Sequence, residues 1–165
     1  MFQKILDLIF IKKCFSCGKS GDYLCDDCFY SKLILQKNCF LCIDKDNGSK
    51  LKNCNKCRDN VVFDGVLSFF DYHDKSIKNM IKIFKFRYAY DIGRFFGEKI
   101  GDIINKKYEL DDSYILIPVP LSRKRFNYRG FNQSYVFANS IAEKTKLKLY
   151  DDILVKGKNT INQVG

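Results

Sequence analysis

No stretch of this sequence approaches the roughly 20 consecutive apolar residues that a membrane-spanning helix requires. The longest greasy run near the start, Leu8 to Ile11, is short and closely flanked by charge, which excludes an integral membrane reading. A secretory leader is not expected either, because Asp7 interrupts the apolar part of MFQKILDLIFIKK and no small-residue cleavage site follows. A short N-terminal helix packing on the body is the expectation there. The chain has no tryptophan, two prolines and one histidine, and its 165 residues leave no room for a large multidomain enzyme. Cysteine is absent after Cys57.

What is present is enough to fold. Hydrophobic residues make up 46% and aromatics 15%, too rich a mixture for a disordered chain. Lys and Arg outnumber Asp and Glu 29 to 19, a formal net charge of +10 that invites a polyanion, either nucleic acid or a phosphorylated small molecule. Eight thiolates on two Zn²⁺ would bring the loaded chain down to about +6.

All eight cysteines fall into four CxxC pairs: Cys14/Cys17, Cys25/Cys28, Cys39/Cys42 and Cys54/Cys57. A CxxC turn points two sulfurs at a common centre, so two pairs supply the four thiolates of a closed tetrahedral zinc site. A disulfide scaffold would need a secretory leader, and a thioredoxin-like motif would use one pair within a βαβ unit. One or two structural zincs are expected, with consecutive and crossed pairing both open. A shell of four thiolates leaves no position for water or substrate, so ligands are assigned here and no chemistry. With eight cysteines available, the single histidine, His73, is not needed as a ligand and reads as exposed.

From Val61 the composition changes, giving an expected boundary between a module over 1–60 and a second over 61–165. VVFDGVLSFFDY reads as strand material broken at Asp64-Gly65. SIKNMIKIFKF places Ile77, Met80, Ile81 and Phe84 at helical spacing, with Lys78, Lys82 and Lys85 on another face. That basic edge reads as a solvated face, or else as a stripe toward phosphate. A second helix is expected from an Asp91 N-cap toward Lys107, with Gly93, Gly97 and Gly101 baring one side for close approach of another backbone. YILIPVP, 114–120, holds both prolines and reads as a buried strand emptying into a rigid loop. After it come Arg123, Lys124, Arg125 and Arg129, with no acidic residue between Asp112 and Glu143. Strand, basic loop and a helix starting near Asn132 form the arrangement in which open α/β sheets hold phosphates. A last strand is expected at 152–156, DILVK.

The four knuckles, YHDKSIKNMIKIFKF, IPVPLSRKRFNYRGFNQ and the terminal NTINQ together resemble the ComF family of competence-associated, phosphoribosyltransferase-like proteins. The resemblance covers essentially the whole chain, and its most specific part is PVPLS followed by RxxxRGFNQ. It implies an α/β fold: an N-terminal zinc-ribbon module, then the first half of a type I phosphoribosyltransferase-like (Rossmann-like) domain. It further implies binding of phosphoribosyl pyrophosphate with Mg²⁺, a cytoplasmic location, and a role in natural transformation beside single-stranded DNA and a translocase ATPase. Carried over residue by residue, Pro118, Val119, Pro120, Leu121 and Ser122 match the loop that faces pyrophosphate. Arg123, Arg125, Arg129, Gly130, Asn132 and Gln133 match the adjoining basic segment, and Thr160 and Gln163 the T-x-x-Q pattern. Nothing in the sequence matches the acidic D-D-x-x-T-T-G loop that in the family cradles the 5′-phosphate. The chain is therefore expected to be a fragment of a longer gene product, or else a shortened relative that has lost the sugar-phosphate site, and in either case inactive as a transferase. The alternative reading is a zinc-ribbon binding module that grips single-stranded nucleic acid, or the translocase partner, without catalysis, using the basic stripe and exposed aromatics such as Tyr128 and Phe131.

Overall fold

The computed structural model describes residues 11–34, 62–63, 65–87 and 89–157. Helix and a small parallel sheet make up its regular structure, and the chain divides into two compact units, Met1–Ile77 and Lys78–Gly165. The expected N-terminal helix, the pairs Cys39/Cys42 and Cys54/Cys57, and Thr160 and Gln163 lie outside the described residues.

In the first unit a tight knuckle is held by backbone hydrogen bonds. The Gly18 N–H donates to the Cys14 carbonyl and the Cys14 N–H to the Lys19 carbonyl, both at 2.9 Å. Gly18 has φ +77°, a conformation that costs glycine nothing and a side chain about 1 kcal/mol or more. Helix α1, Asp26–Ser31, follows with two acidic residues in its first turn, where the helix dipole favours them. Its Phe29 is fully buried and meets Phe70 edge-on, ring centroids 5.2 Å apart. Leu33 and Phe70 form an antiparallel bridge, and the Ile34 N–H donates to the Phe69 carbonyl at 2.7 Å. That bridge is the extent of strand-like pairing among the described residues of 62–72, so the strand expected there does not form.

Helix α2, Lys75–Phe86, buries Ile77 and Met80 and exposes Lys78, Lys82 and Lys85, as its spacing predicts. Asp74 precedes it and accepts hydrogen bonds from the N–H groups of Ser76 and Ile77, satisfying two donors that a helix start leaves unpaired. Helix α3, Tyr90–Lys107, begins one residue before Asp91, which sits in its first turn with Ala89 as the cap.

Four elements complete the second unit: β1, Ile115–Leu116; α4, Arg123–Arg129; α5, Gln133–Thr145; and β2, Lys148–Leu149. The strands are parallel, in register Ile115 to Lys148 and Leu116 to Leu149, so α4 and α5 lie in the crossover of a βαβ unit. Helices α3 and α5 pack through the glycine stripe. An added Cβ on Gly93 would meet Phe84 and Val136, on Gly97 Ser140, and on Gly101 Lys144. Glycine and partner advance together by four residues, so the two helices run in the same direction. Ile92, Phe95, Phe96, Ile100, Ile103 and Ile104 of α3 are buried, as are Val136, Ala138 and Ile141 of α5.

Three more expectations need correction. YILIPVP is no long buried strand: two residues pair, and Tyr114, Ile115, Ile117 and Val119 are exposed. The last strand is Lys148–Leu149, while 152–156 runs without strand pairing. The basic segment is helical, with Ser122 preceding it and Gly130 closing it at φ +74°. A serine before the segment and a glycine after it are the ordinary punctuation of a short helix.

Candidate functional site

The first site is built by the knuckle and the start of α1. Cys14 and Cys17 come from the knuckle, while Cys25 immediately precedes α1 and Cys28 lies within it. Their four Sγ atoms all lie within 4.8 Å of one another, and those of Cys17 and Cys25 are 3.7 Å apart. Zn–S bonds of about 2.3 Å in a regular tetrahedron put neighbouring sulfurs about 3.8 Å apart, so the donor set fits zinc in both type and spacing. The pairing left open by the sequence is consecutive at this site: first knuckle with second.

The thiols are electrostatically unequal. Burial opposes charge on Cys14, yet the backbone N–H groups of Cys17, Cys25 and Ser16 overcome it and bring its pKa down to about 6. At Cys28 the Ser16 hydroxyl favours the thiolate, but Cys25, partial burial, Cys17 and Cys14 together push the pKa up to about 12. The Cys14 thiolate forms readily while Cys28 resists ionising beside its neighbours, and a bound divalent cation would remove that resistance. Zinc held by these four thiolates would tie knuckle and helix together and leave no open coordination position. His73 is exposed and stands outside the cluster.

The second site is a cleft of about 450 Å³ in the Lys78–Gly165 unit. Pro120 and Leu121, from the loop after β1, form one part of its lining, and Asp151, two residues beyond β2, another. Tyr90 enters from the start of α3, and Phe126 and Gly130 from α4 and its cap. Phe131, Asn132, Tyr135 and Val136 complete the wall. The cleft thus opens where both parallel strands end, the edge at which α/β folds bind ligands.

Asn132 fixes the geometry of this edge. Its Oδ1 accepts from the Ser134 N–H at 3.1 Å, capping α5, and its Nδ2 donates to the Val119 carbonyl at 3.2 Å. One side chain therefore joins the helix start to loop 118–122. Of the residues carried over from the resemblance, Pro120, Leu121, Gly130 and Asn132 line the cleft. Pro118 and Ser122 are buried, Val119 is exposed, and Arg123 and Arg125 belong to α4 outside the lining.

Arg129 turns elsewhere: its guanidinium lies 5.3 Å from the Phe86 ring centroid and donates to Gln133 Oε1 at 3.1 Å. Desolvation, then the nearby charge of Arg125, lowers its pKa. Gln133 is buried, and among the described residues its Nε2 has no hydrogen-bond partner. Phe131, expected on the surface, is half-buried between Phe84 and Tyr90, with centroids at 5.9 and 5.4 Å, whereas Tyr128 is 69% exposed. Tyr90, Phe126, Tyr135, Val136 and Asp151 were not among the site residues read from sequence. An acidic residue just past a strand is the one local signal that could have marked Asp151.

Among the described residues no helix is long and apolar enough to cross a membrane. No family model matches the chain, and no solved structure matches it significantly. Over 86 residues the chain is 31% identical to Competence protein ComFC of Bacillus subtilis (strain 168), a match that covers 52% of this chain and 35% of that relative. The matched region is thus about a third of the relative's length. That similarity supports a relationship to the ComF family.

Proposed function

We propose that this chain supplies the zinc module and the pyrophosphate-facing part of a competence-related, phosphoribosyltransferase-like protein acting in natural transformation. Loop 118–122 and the basic residues Arg123 and Arg125 would receive the phosphates of phosphoribosyl pyrophosphate. The observation that carries the reading is the order β1, loop, α4, α5, β2, with the loop at the carboxyl ends of parallel strands and tied to α5 by Asn132. The guanidinium fork suits phosphate oxygens, and the same cations would stabilise charge on departing pyrophosphate. Zinc in this reading is structural. The four thiols are the one cluster of metal-ligating groups among the described residues, so no residue is assigned to Mg²⁺.

The test is calorimetric titration of the protein with phosphoribosyl pyrophosphate and Mg²⁺. Saturable binding that weakens at least about tenfold in the Arg123→Ala/Arg125→Ala double variant supports the reading. No heat at millimolar ligand from a folded, zinc-loaded protein would sink it.

A second reading, single-stranded nucleic-acid binding without catalysis, is favoured by α4 itself. Phe126 and Tyr128 are 49% and 69% exposed and follow Arg123, Lys124 and Arg125 on the same short helix. It requires oligonucleotide binding that falls steeply with salt and persists in saturating phosphoribosyl pyrophosphate.

A further inference from the structure

Zn²⁺ neither gives nor takes electrons, and four thiolates would close its shell, so reactivity at the first site belongs to the sulfurs. The four are not equally reachable. Cys14 is buried, Cys25 and Cys28 are half-buried, and Cys17 is exposed. A small oxidant arriving from solvent therefore meets Cys17 first, because oxidation of a thiolate follows its exposure.

A second sulfur stands ready beside it. The Cys25 Sγ lies 3.7 Å from the Cys17 Sγ, and a disulfide needs such a pair to close to about 2.05 Å. Cys25 is the residue before α1, with extended backbone at φ −64° and ψ 158°, and its side chain makes no capping hydrogen bond among the described residues. Its sulfur can move without unwinding the helix. The other two sulfurs are held in place. Cys28 lies inside α1, and Cys14 is buried in the knuckle that the Gly18 N–H closes on the Cys14 carbonyl.

We propose that Cys17 is an oxidant-sensitive modification site resolved by Cys25, so that a hydroperoxide converts the zinc-loaded module to a metal-free, cross-linked form. In the first step the Cys17 thiolate attacks a peroxide oxygen, the O–O bond breaks, and hydroxide leaves a sulfenic acid on Cys17. In the second the Cys25 thiolate attacks the Cys17 sulfur, the S–O bond breaks, and a second hydroxide departs. The two sulfurs together lose two electrons, which the peroxide gains. Cys14 and Cys28 alone then remain as thiolates, too few to hold the metal. The new bond joins the knuckle to the start of α1 and takes over the tie that zinc would supply. The inference rests on the zinc site and is independent of the phosphoribosyl reading.

The zinc-loaded full chain, its metal content measured beforehand, is treated with a few equivalents of hydrogen peroxide and mapped by mass spectrometry. Trypsin cleaves after Lys13, Lys19 and Lys32, which puts Cys14 and Cys17 on one peptide and Cys25 and Cys28 on another. Peroxide joins these two peptides, and fragmentation locates the bond at Cys17 and Cys25. In the variant with Cys39, Cys42, Cys54 and Cys57 changed to Ser, a zinc-responsive dye records metal loss in step with that bond, and dithiothreitol with added zinc reverses both. Limiting iodoacetamide on the zinc-loaded chain labels Cys17 at least about fivefold more than Cys14. Disulfides confined within the knuckles, a bond through Cys14 or Cys28, equal labelling of Cys14 and Cys17, or zinc retained while peroxide consumes a free-thiol control overturns this inference alone. A chain that holds no zinc before oxidation overturns the zinc assignment with it.

Discussion

Gly97 of α3 lies so close to Ser140 of α5 that an added Cβ would fall 2.5 Å from the Ser140 Cβ and 2.8 Å from the Phe137 carbonyl oxygen. No side chain fits between those backbones. The Ser140 hydroxyl, buried at this contact, donates to the Val136 carbonyl at 3.1 Å and so leaves no unpaired polar group.

Gly97→Ala is therefore a contest between two effects. Alanine gains about 1 kcal/mol in helix propensity, while overpacking against a backbone carbonyl costs about 1–3 kcal/mol. The clash involves backbone as well as side chain, so the second effect wins and the variant is less stable. Gly97→Leu is expected to unfold the second unit. Chemical denaturation followed by circular dichroism measures both, and an alanine variant as stable as the parent would refute the close packing.

Asp74 links acid stability to the first unit. Its Oδ2 accepts from Lys32 Nζ at 2.6 Å, and this charged hydrogen bond, with help from the N–H groups of Ile77 and Ser76, holds its pKa below the ordinary carboxylate value. A depressed pKa stabilises the fold fully above the unfolded carboxylate range, and the contribution disappears as pH falls through the folded value. Asp74→Ala should cost about 1–2 kcal/mol near neutrality, and the difference from the parent should shrink toward zero in acid. Denaturation midpoints from pH 7 down to about 2 trace this; a gap independent of pH would mean that the carboxylate charge is irrelevant.

Asn132 offers a test that separates its two bonds. Asn132→Asp keeps the oxygen that caps α5 but loses the donor to the Val119 carbonyl, whereas Asn132→Ala loses both. The alanine variant should lose about 1–2 kcal/mol and the aspartate variant less, with amide exchange rising in loop 118–122 in both. Equal protection of that loop in all three proteins would contradict the tether.

Metal binding at the first site should survive loss of the other knuckles. A variant with Cys39, Cys42, Cys54 and Cys57 all changed to Ser is expected to retain one tightly bound zinc, and a further Cys25→Ser to release it. Metal analysis after gel filtration reads the stoichiometry, and Co²⁺ substitution reports the four-thiolate environment through its absorption spectrum. Chelation should unfold the knuckle and α1, since the four ligands link them.

Much of this molecule is legible along the chain because its causes are local. Apolar residues at helical spacing specify the buried sides of α2 and α3, and Asn132 before QSYVFANSIA marks the start of α5. Three glycines at four-residue spacing announce a close helix contact without naming the partner. Strand positions are less legible, since a strand is defined by what it pairs with. DILVK has the composition of a strand, but it is Lys148–Leu149 that lies in register with β1.

Residue type, short spacing and charge along the chain are enough to specify a cysteine set suited to zinc, the amphipathic helices and the basic segment. It is the folding of the chain that brings the first two knuckles together, turns Arg129 to Phe86 and Gln133, and gathers Tyr90, Tyr135 and Asp151 in one cleft with Pro120 and Leu121. Those relations join residues distant along the chain or choose among several nearby partners. They depend on how α3 packs on α5 and how β1 pairs with β2, which no local pattern encodes.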